Sequence, residues 1–355
     1  MKRVVIKGSG SYLPEIIVKG SDFLTHDFYD EGGHPISLPT EVIIKKFEQI
    51  TEIEERRYIT DDLMNSDIAT IAAKKAIAAA GIDPEEFDHI IFGHNYGDVT
   101  VEKRQVDIMP SMASRVKHHL GIKNRKCIPY DMSFGCPGWV QSMILAQQLA
   151  QAGVLKKALI IGAETLSRVI DPHDRNSMIF ADGAAAVVVK VEENSEKGIQ
   201  TYDVVCDQGE EFFFIGNGKS IHPDYKGSEV NIKMKGRKVY EYVLSNVPGA
   251  IKSCIDQAGL HFNDISKFLI HQANAKMDHA ILERLVKLYD LEGDFSHKMP
   301  MTIQNFGNTS VATVPTMYDL IMNNQLGSHE INEGDYIVFA SVGASMNINA
   351  ILYKV

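Results

Sequence analysis

Three residues with the side chains of a covalent catalyst are widely separated in the chain: Cys136, His271 and Asn308. Cys136 lies within 134–138, Phe-Gly-Cys-Pro-Gly, where a strand-like run gives way to a helix-like one. Proline suits the first turn of a helix, so we expect the sulfur at or beside the helix cap. Unpaired amides and the positive end of the dipole stabilise a thiolate there. A lone cysteine is more often a small buried apolar residue, so a catalytic assignment needs partners.

His271 and Asn308 are the candidate partners. His271 follows an apolar run and is expected at a strand end, where a single histidine usually has a structural role. Asn308 lies in a turn before a helix-like segment, where its ordinary role is capping. It is the combination of a thiol with two neutral nitrogen donors that indicates nucleophilic catalysis with stabilisation of developing negative charge.

An internal repeat predicts how these residues come together. Residues 76–92 and 254–270 both read as a helix stopped by glycine, a short connection and a buried strand. This pattern is also generic in α/β proteins. A second similarity, between Phe134-Gly135-Cys136 and Phe306-Gly307-Asn308, favours duplication and places both motifs before helices predicted over 138–152 and 311–322.

The repeat therefore predicts two similar α/β halves, 1–192 and 193–355, joined by the charged stretch 192–198. Two segments, 18–55 and 97–110, do not fit the repeat and are expected to be loops that shape a binding site. The sequence Gly8-Ser9-Gly10 lacks the third glycine of a dinucleotide fingerprint and is interpreted as a turn.

Composition excludes several classes of function. A net charge of −10 disfavours nonspecific binding to nucleic acid or to a membrane surface. Apolar runs fall far short of the roughly 20 residues that cross a bilayer, and the first residues lack the apolar core of a signal peptide. The 4 cysteines are widely spaced, which argues against a zinc site or a disulfide framework. We expect a cytoplasmic protein without a metal.

At this point the motifs resemble a known family. The segments Cys136-Pro137-Gly138, His271-Gln272-Ala273-Asn274 and Gly307-Asn308-Thr309-Ser310 are similar in order and spacing to the motifs of β-ketoacyl-acyl-carrier-protein synthase III, a thiolase-superfamily enzyme of fatty acid biosynthesis. The resemblance extends over nearly the whole chain. It implies a five-layered αβαβα fold built from two duplicated halves, and a homodimer.

The resemblance also implies roles for these residues. Cys136 would be acylated by an acyl thioester, and decarboxylative condensation with malonyl-acyl-carrier protein would give a 3-oxoacyl product. His271 and Asn308 would donate hydrogen bonds to the malonyl thioester oxygen, and the main-chain amides of Cys136 and Ala344 would form an oxyanion hole. Coenzyme A and phosphopantetheine thioesters would be substrates, so no resident cofactor is expected.

Further residues acquire binding roles by the same resemblance. Those expected to line the pantetheine tunnel are Arg175, Gly236, Tyr240 and Asn274. Those expected to dock the acidic carrier protein, together with Lys233 and Arg237, are Lys235, Lys238, Lys276 and Arg284. The simpler interpretation of these cations is a solvated helix face.

The chain also departs from the family pattern. Residues 48–55 carry neither the tryptophan nor the arginine that hold the adenine of coenzyme A, and the usual Gly-Gly-Gly-Phe turn is Gly343-Ala344-Ser345-Met346. A specialised acyl-transferring or acyl-condensing enzyme of secondary-metabolite, resorcinol-type assembly is therefore an alternative. Two remoter alternatives are a Cys-His-Asn hydrolase of the papain type and a noncatalytic partner subunit; the repeat opposes the first and the complete catalytic set opposes the second.

Overall fold

The computed structural model describes residues 2–102 and 104–355. Met1 and Lys103, which belong to the predicted first half, lie outside the described residues. The strands are, in chain order, β1 (Lys2–Tyr12), β2 (Ile16–Lys19), β3 (Glu55–Tyr58), β4 (His89–His94), β5 (Asp98–Val99), β6 (Val106–Asp107), β7 (Ile128–Ser133), β8 (Lys157–Thr165), β9 (Asp182–Glu193), β10 (Gly198–Cys206), β11 (Ile215–Gly218), β12 (Asn231–Met234), β13 (Ile265–Ile270), β14 (Tyr336–Gly343) and β15 (Asn347–Lys354). The α-helices are α1 (Thr40–Thr51), α2 (Asn65–Ala80), α3 (Met112–His119), α4 (Gly138–Gln151), α5 (Gly236–Asp256), α6 (Ala275–Leu288), α7 (Ile303–Phe306) and α8 (Thr313–Met322).

Two sheets share one strand order. The first runs β1-β9-β8-β4-β7 and the second β10-β15-β14-β13. The segments of the predicted repeat occupy equivalent places, because α2 leads into β4 and α5 leads into β13. Gly81 caps α2 directly with φ of 62°, and Gly259, three residues after α5 ends at Asp256, has φ of 69°; glycine adopts this conformation without steric cost.

Helices cover both faces of each sheet, and this gives the αβαβα layers. The central helices α4 and α8 pack between the sheets, with Trp139 and Met317 buried against strands from both. The outer helices α2 and α3 cover the first sheet, and α5 and α6 cover the second. Because β4 and most of β8 and β9 are covered on both faces, they read as continuous apolar runs.

Two sequence-based predictions about local structure are wrong. The proposed turn at Gly8-Ser9-Gly10 is the middle of β1. These glycines allow α2 to lie against the strand, since a Cβ atom on Gly8 would stand 2.3 Å from the Ala80 amide nitrogen and one on Gly10 2.5 Å from that of Ala76. The segment 18–55 is not all loop, because it contains α1, whose buried residues Ile43 and Ile44 pack in a small apolar cluster.

The segment 97–110 contains the short antiparallel pair β5 and β6. The second predicted helix begins later than expected, since a 3-10 turn over Ser310–Ala312 precedes α8. Among the described residues, no helix combines the length and the apolar character needed to span a bilayer.

Candidate active site

Parallel strands deliver several polar residues to one edge of the first sheet. Strand β4 lies between β7 and β8 and is parallel to both. The chain reaches Cys136 soon after β7 ends, Asn95 directly after β4, and Glu164 near the end of β8. The carboxyl ends of neighbouring parallel strands are a common place for active sites, because the side chains there converge.

Cys136 stands immediately before Pro137, the N-cap of α4. Gly135 turns the chain at this point with φ of 71°. The Cys136 Sγ accepts a hydrogen bond from the Ser310 hydroxyl at 3.2 Å. Burial raises the pKa of the thiol to about 11; the Ser310 hydrogen bond opposes this shift, whereas the Glu164 carboxyl adds to it. The resting site therefore holds a neutral thiol at physiological pH.

His271 is the residue after β13, and its main-chain N–H donates to the Ala340 carbonyl at 2.8 Å. The side chain is only 2% exposed. Burial lowers the pKa of the imidazole to about 4, while a weaker interaction with the Ser310 main chain acts in the opposite direction. The ring is therefore neutral, and within the described residues its Nδ1 has no partner in hydrogen-bonding geometry.

Asn308 is fixed by its main chain and by one end of its carboxamide. Its N–H donates to the Ile179 carbonyl and its carbonyl accepts from the Ala181 N–H, both at 2.9 Å. Gly307 allows this course with φ of 65°. The Asn308 Oδ1 accepts the Ser310 amide at 2.8 Å. The Nδ2 hydrogens are consequently the end of the side chain that can serve a ligand.

Cys136, His271 and Asn308 line one chamber of about 450 Å³, together with the Gly343 and Ala344 turn. The three side chains that the sequence analysis selected thus share a single cavity.

A second cavity, of about 400 Å³, meets this chamber. It is lined by Arg175, Gly236, Tyr240 and Asn274, and it shares Met234, Val239, Ala273 and Met277 with the chamber of Cys136. Lys46 and Ile50 also line it, and Ile50 belongs to the segment 48–55 that lacks the family's adenine-binding residues. One end of the Asn274 side chain is already occupied, because it accepts the Met277 amide at 3.2 Å as the cap of α6.

The turn after β14 lies tightly against the loop that carries Cys136. A Cβ atom on Gly343 would stand 2.5 Å from the Cys136 amide nitrogen, and one on Gly135 would stand 2.7 Å from that of Ala344. The turn then continues through two residues in the left-handed region, Ser345 at φ 60° and Met346 at φ 45°. A backbone course that usually requires glycine is thus kept here by residues with side chains.

The candidate docking cations differ in their freedom. Lys235, Lys238 and Lys276 are exposed at the starts of α5 and α6 and make no ion pair within the described part of the chain. Arg284 is exposed but donates to the Leu244 carbonyl at 2.8 Å. Lys233 does not belong to such a patch, because it binds the buried carboxylate of Asp171 at 2.5 Å.

Arg237 also differs from the free cations, since it pairs with Glu241 at 2.8 Å on the exposed face of α5.

Three polar residues at the site were not singled out from the sequence: Asn95, Glu164 and Ser310. Ser310 belongs to the asparagine motif and could have been found there. Asn95 and Glu164 follow apolar strand runs without any distinguishing motif, so local sequence carried no signal for them.

Comparison with known proteins identifies the family. The family model of 3-oxoacyl-[acyl-carrier-protein] synthase III matches residues 130–208, and its C-terminal model matches 255–355. The β-ketoacyl-[acyl-carrier-protein] synthase III of Staphylococcus aureus strain Newman is 32% identical over 352 residues, which cover 99% of this chain and 98% of the relative.

Solved structures agree with this result. The 3-oxoacyl-[acyl-carrier-protein] synthase III of Aquifex aeolicus VF5 has 26% identity and a TM-score of 0.78, over 99% of this chain and 100% of that one. The priming β-ketosynthase of the R1128 polyketide pathway, at 23% identity and a TM-score of 0.78 over 99% and 96% of the two chains, shares the fold. The chain therefore belongs to the 3-oxoacyl-[acyl-carrier-protein] synthase III family, whose members are condensing acyltransferases with the thiolase fold.

Proposed function

We propose that Cys136 is the nucleophile of this synthase, and that His271 and Asn308 stabilise the enolate formed when a malonyl thioester loses carbon dioxide. The observation that carries this proposal is the shared chamber of the three side chains, which meets a cavity lined by the residues expected to hold pantetheine.

In the first half-reaction, the Cys136 sulfur attacks the carbonyl carbon of an acyl thioester. A bond from the carbonyl carbon to Cys136 Sγ forms, the bond to the donor sulfur breaks, and the donor thiol leaves with the proton that Cys136 gives up. Negative charge gathers transiently on the carbonyl oxygen. The main-chain amides of Cys136 and Ala344, on the two turns that meet at the chamber, would donate to that oxygen.

In the second half-reaction, a malonyl thioester replaces the donor thiol. Its carboxylate leaves as carbon dioxide, and the electron pair that remains forms an enolate whose oxygen accepts hydrogen bonds from neutral His271 and the Asn308 Nδ2. The enolate carbon then attacks the acyl-enzyme, so that a carbon–carbon bond forms and the Cys136 thiolate is released. Because the His271 pKa is far below neutrality, the imidazole donates without becoming a cation.

The test is intact-mass analysis of the purified protein with a panel of acyl-coenzyme A and acyl-carrier-protein donors, followed by malonyl-carrier protein. Cys136→Ala should abolish the mass increase, whereas Cys127→Ala, at a cysteine buried in the core of the first sheet and outside the chamber lining, should retain it. An adduct that survives Cys136→Ala would refute the assignment of the nucleophile.

His271→Ala and Asn308→Ala are predicted to form the acyl-enzyme normally. Each should slow carbon dioxide release by about 100-fold to 1,000-fold, because each removes a donor to the developing oxyanion. Decarboxylation at the wild-type rate in either variant would exclude that residue from the proposed role.

The carrier protein is the proposed partner. Lys235, Lys238 and Lys276 make no ion pair with any residue that the structure describes, and they lie at the starts of α5 and α6, beside the cavity that Gly236 and Asn274 line. A local group of cations can steer an acidic carrier to this opening although the whole chain is acidic.

A homodimer is proposed on the first sheet. Strand β7 is the edge strand, and Ile128 and Tyr130 are exposed along it. Ile108 and Met109, after β6, are also exposed, Met109 to 85%. An uncovered strand edge beside exposed apolar side chains is a typical site of strand pairing between copies. Analytical ultracentrifugation should give a dimer, and a monomer at micromolar concentration would contradict this proposal.

A specialised donor is the second candidate function, and one observation favours it. The wall that would face the adenine of coenzyme A presents Lys46 and Ile50 beside Arg175. Without the family's aromatic and arginine pair, coenzyme A loses its stacking partner, and a carrier-bound acyl group becomes the better donor. Faster acylation from acyl-coenzyme A than from the matching acyl-carrier protein would reject this candidate.

A further inference from the structure

Ser310 touches each member of the catalytic set. Its hydroxyl donates to the Cys136 Sγ at 3.2 Å, its amide donates to the Asn308 Oδ1 at 2.8 Å, and its main chain lies beside the His271 ring. The residue is buried and holds a φ of 52°, a left-handed conformation uncommon for a residue with a side chain. Non-glycine residues in this region persist where the surroundings fix them, and they concentrate at functional sites.

Asn95 determines where the hydroxyl hydrogen of Ser310 points. The Asn95 Nδ2 donates to the Ser310 Oγ at 2.9 Å. Since an amide NH₂ group donates and does not accept, the hydroxyl must direct its own hydrogen elsewhere, and the Cys136 sulfur is the acceptor in reach.

Glu164 in turn fixes Asn95. The Glu164 Oε1 accepts from the main-chain N–H of Asn95, and the carboxyl also bonds the Asn95 side chain. Successive hydrogen bonds therefore connect Glu164 to Asn95, Asn95 to Ser310 and Ser310 to Cys136. This series begins at β8 and passes through the end of β4 and the turn before α8 to the start of α4.

The sulfur needs such a donor because burial and the side chains around it disfavour a thiolate, and its own main chain at the start of α4 offsets this only in part. The titratable groups that line or face its chamber are Glu164 from β8, Tyr96 after β4, Cys206 at the end of β10 and His271 after β13. The Glu164 carboxyl opposes negative charge on the sulfur, and buried His271 is neutral. No cationic side chain lines the chamber within the described residues, so hydrogen-bond donors carry the stabilisation.

We propose that the Ser310 hydroxyl is a catalytic hydrogen-bond donor that stabilises the Cys136 thiolate, and that Asn95 and Glu164 are positioning residues that aim it. The donor acts twice in the cycle: when the thiol is deprotonated for attack, and when condensation expels the sulfur as a thiolate. This inference rests on the proposed role of Cys136 as the nucleophile.

The test measures the pH dependence of Cys136 alkylation by iodoacetamide, by mass spectrometry of the peptide that contains it. Cys206 serves as a reference within the same molecule, because it lines the same chamber but is exposed and its sulfur accepts from Gln208 and not from Ser310. Loss of a hydrogen bond to a charged group should raise the midpoint for Cys136 by about 1 to 2 pH units and leave that for Cys206 unchanged. Below the midpoint this shift corresponds to alkylation about 10 to 100 times slower.

Two substitutions separate the hydroxyl from the backbone. Ser310→Ala removes the hydroxyl and keeps the left-handed strain, whereas Ser310→Gly removes the hydroxyl and relieves the strain. Both should raise the Cys136 midpoint equally. A rise in Ser310→Ala that is absent in Ser310→Gly would overturn the proposal in favour of a conformational effect, and an unchanged midpoint in both would overturn it outright.

Asn95→Ala and Glu164→Gln test the positioning residues. Asn95→Ala should produce a smaller rise than Ser310→Ala, because the hydroxyl remains but can rotate away from the sulfur. The double variant Ser310→Ala with Asn95→Ala should match Ser310→Ala alone, since Asn95 acts through the hydroxyl. Additive shifts in the double variant would show that Asn95 does not act through Ser310.

Glu164→Gln removes the charge that opposes a thiolate and keeps a carbonyl oxygen that can accept from Asn95, so the Cys136 midpoint should not rise. Glu164→Ala removes the same charge but also releases Asn95, so its midpoint should lie above that of Glu164→Gln. Equal midpoints in the two variants would remove Glu164 from the proposal.

The proposed function has its own readout, because acylation of the wild-type protein tests Cys136 as the nucleophile. A wild type that is acylated while the Ser310 variants keep the normal midpoint refutes only the role of Ser310.

Discussion

A methyl group added to Gly343 provides a direct test of the proposed oxyanion hole. The backbone of Gly343 is extended, with φ of −166°, so Gly343→Ala introduces no torsional strain. The new Cβ would lie 2.5 Å from the Cys136 amide nitrogen and 3.0 Å from the Cys136 Cβ. Ordinary contact begins near 3.4 Å, so the two turns must separate by about 0.9 Å.

A displacement of this size moves one of the two amides that would bind the same carbonyl oxygen. A misplacement of about 1 Å at a reacting centre reduces rate by about 100-fold. We therefore expect the rate of Cys136 acylation in Gly343→Ala to fall by about that factor. The assay is stopped-flow or quenched-flow acylation followed by intact mass, with the thermal midpoint of unfolding measured in parallel.

Gly249→Ala is the matched control. Gly249 lies within α5, and a Cβ atom there would meet no atom within 4 Å. The same chemical change should leave acylation at the wild-type rate and slightly stabilise the helix, by roughly 0.5 to 1 kcal/mol. Acylation within threefold of wild type in a folded Gly343→Ala protein would refute the assignment of these amides.

Two further predictions concern charge. His271 keeps a pKa of about 4 in the fold against 6.5 in the unfolded chain, so the unfolded state binds the proton first as pH falls. The free energy of unfolding of wild type should decrease relative to His271→Gln by about 1.4 kcal/mol per pH unit between pH 6.5 and 4, and parallel curves in urea titrations would contradict this. Lys276→Glu should raise the KM for malonyl-carrier protein by about tenfold and not that for malonyl-pantetheine, whereas Lys287→Glu at the far end of α6 should change neither. Equal KM increases for both substrates in Lys276→Glu would exclude a docking role.

The sequence predicted that Cys136, His271 and Asn308 meet in one place, because each follows a recognisable local pattern. Cys136 and Asn308 precede helices in repeated segments, and His271 ends the repeated strand. The repeat then determines that equivalent strands lie in equivalent sheets, so the relation between Cys136 and Asn308 follows from topology. The helix predicted over 311–322 begins at Thr313 in the structure, and a difference of this size is expected at helix ends.

Features that depend on contacts between distant segments were not predictable. Gly8 and Gly10 are required by the approach of α2, and local sequence contains no trace of that helix crossing. Lys233 resembles a surface cation until Asp171, more than sixty residues earlier, is found beside it. The direction of the Ser310 hydroxyl depends on Asn95, which follows β4 of the first sheet and is far from Ser310 in the sequence.

The helices between the two sheets, α4 and α8, pack against both and so join the two halves of the chain through one apolar core. Trp139 of α4 packs edge-on against Phe339 of β14, with ring centroids 5.4 Å apart, so a helix from the early part of the chain seals a strand from the late part. Cleavage of the connection at 194–197 would therefore leave two fragments that stay associated, because separation would expose the apolar surface of each fragment to water. Thermal unfolding and loss of activity should occur in one transition, because no layer can unfold without opening the chamber that the packed layers enclose.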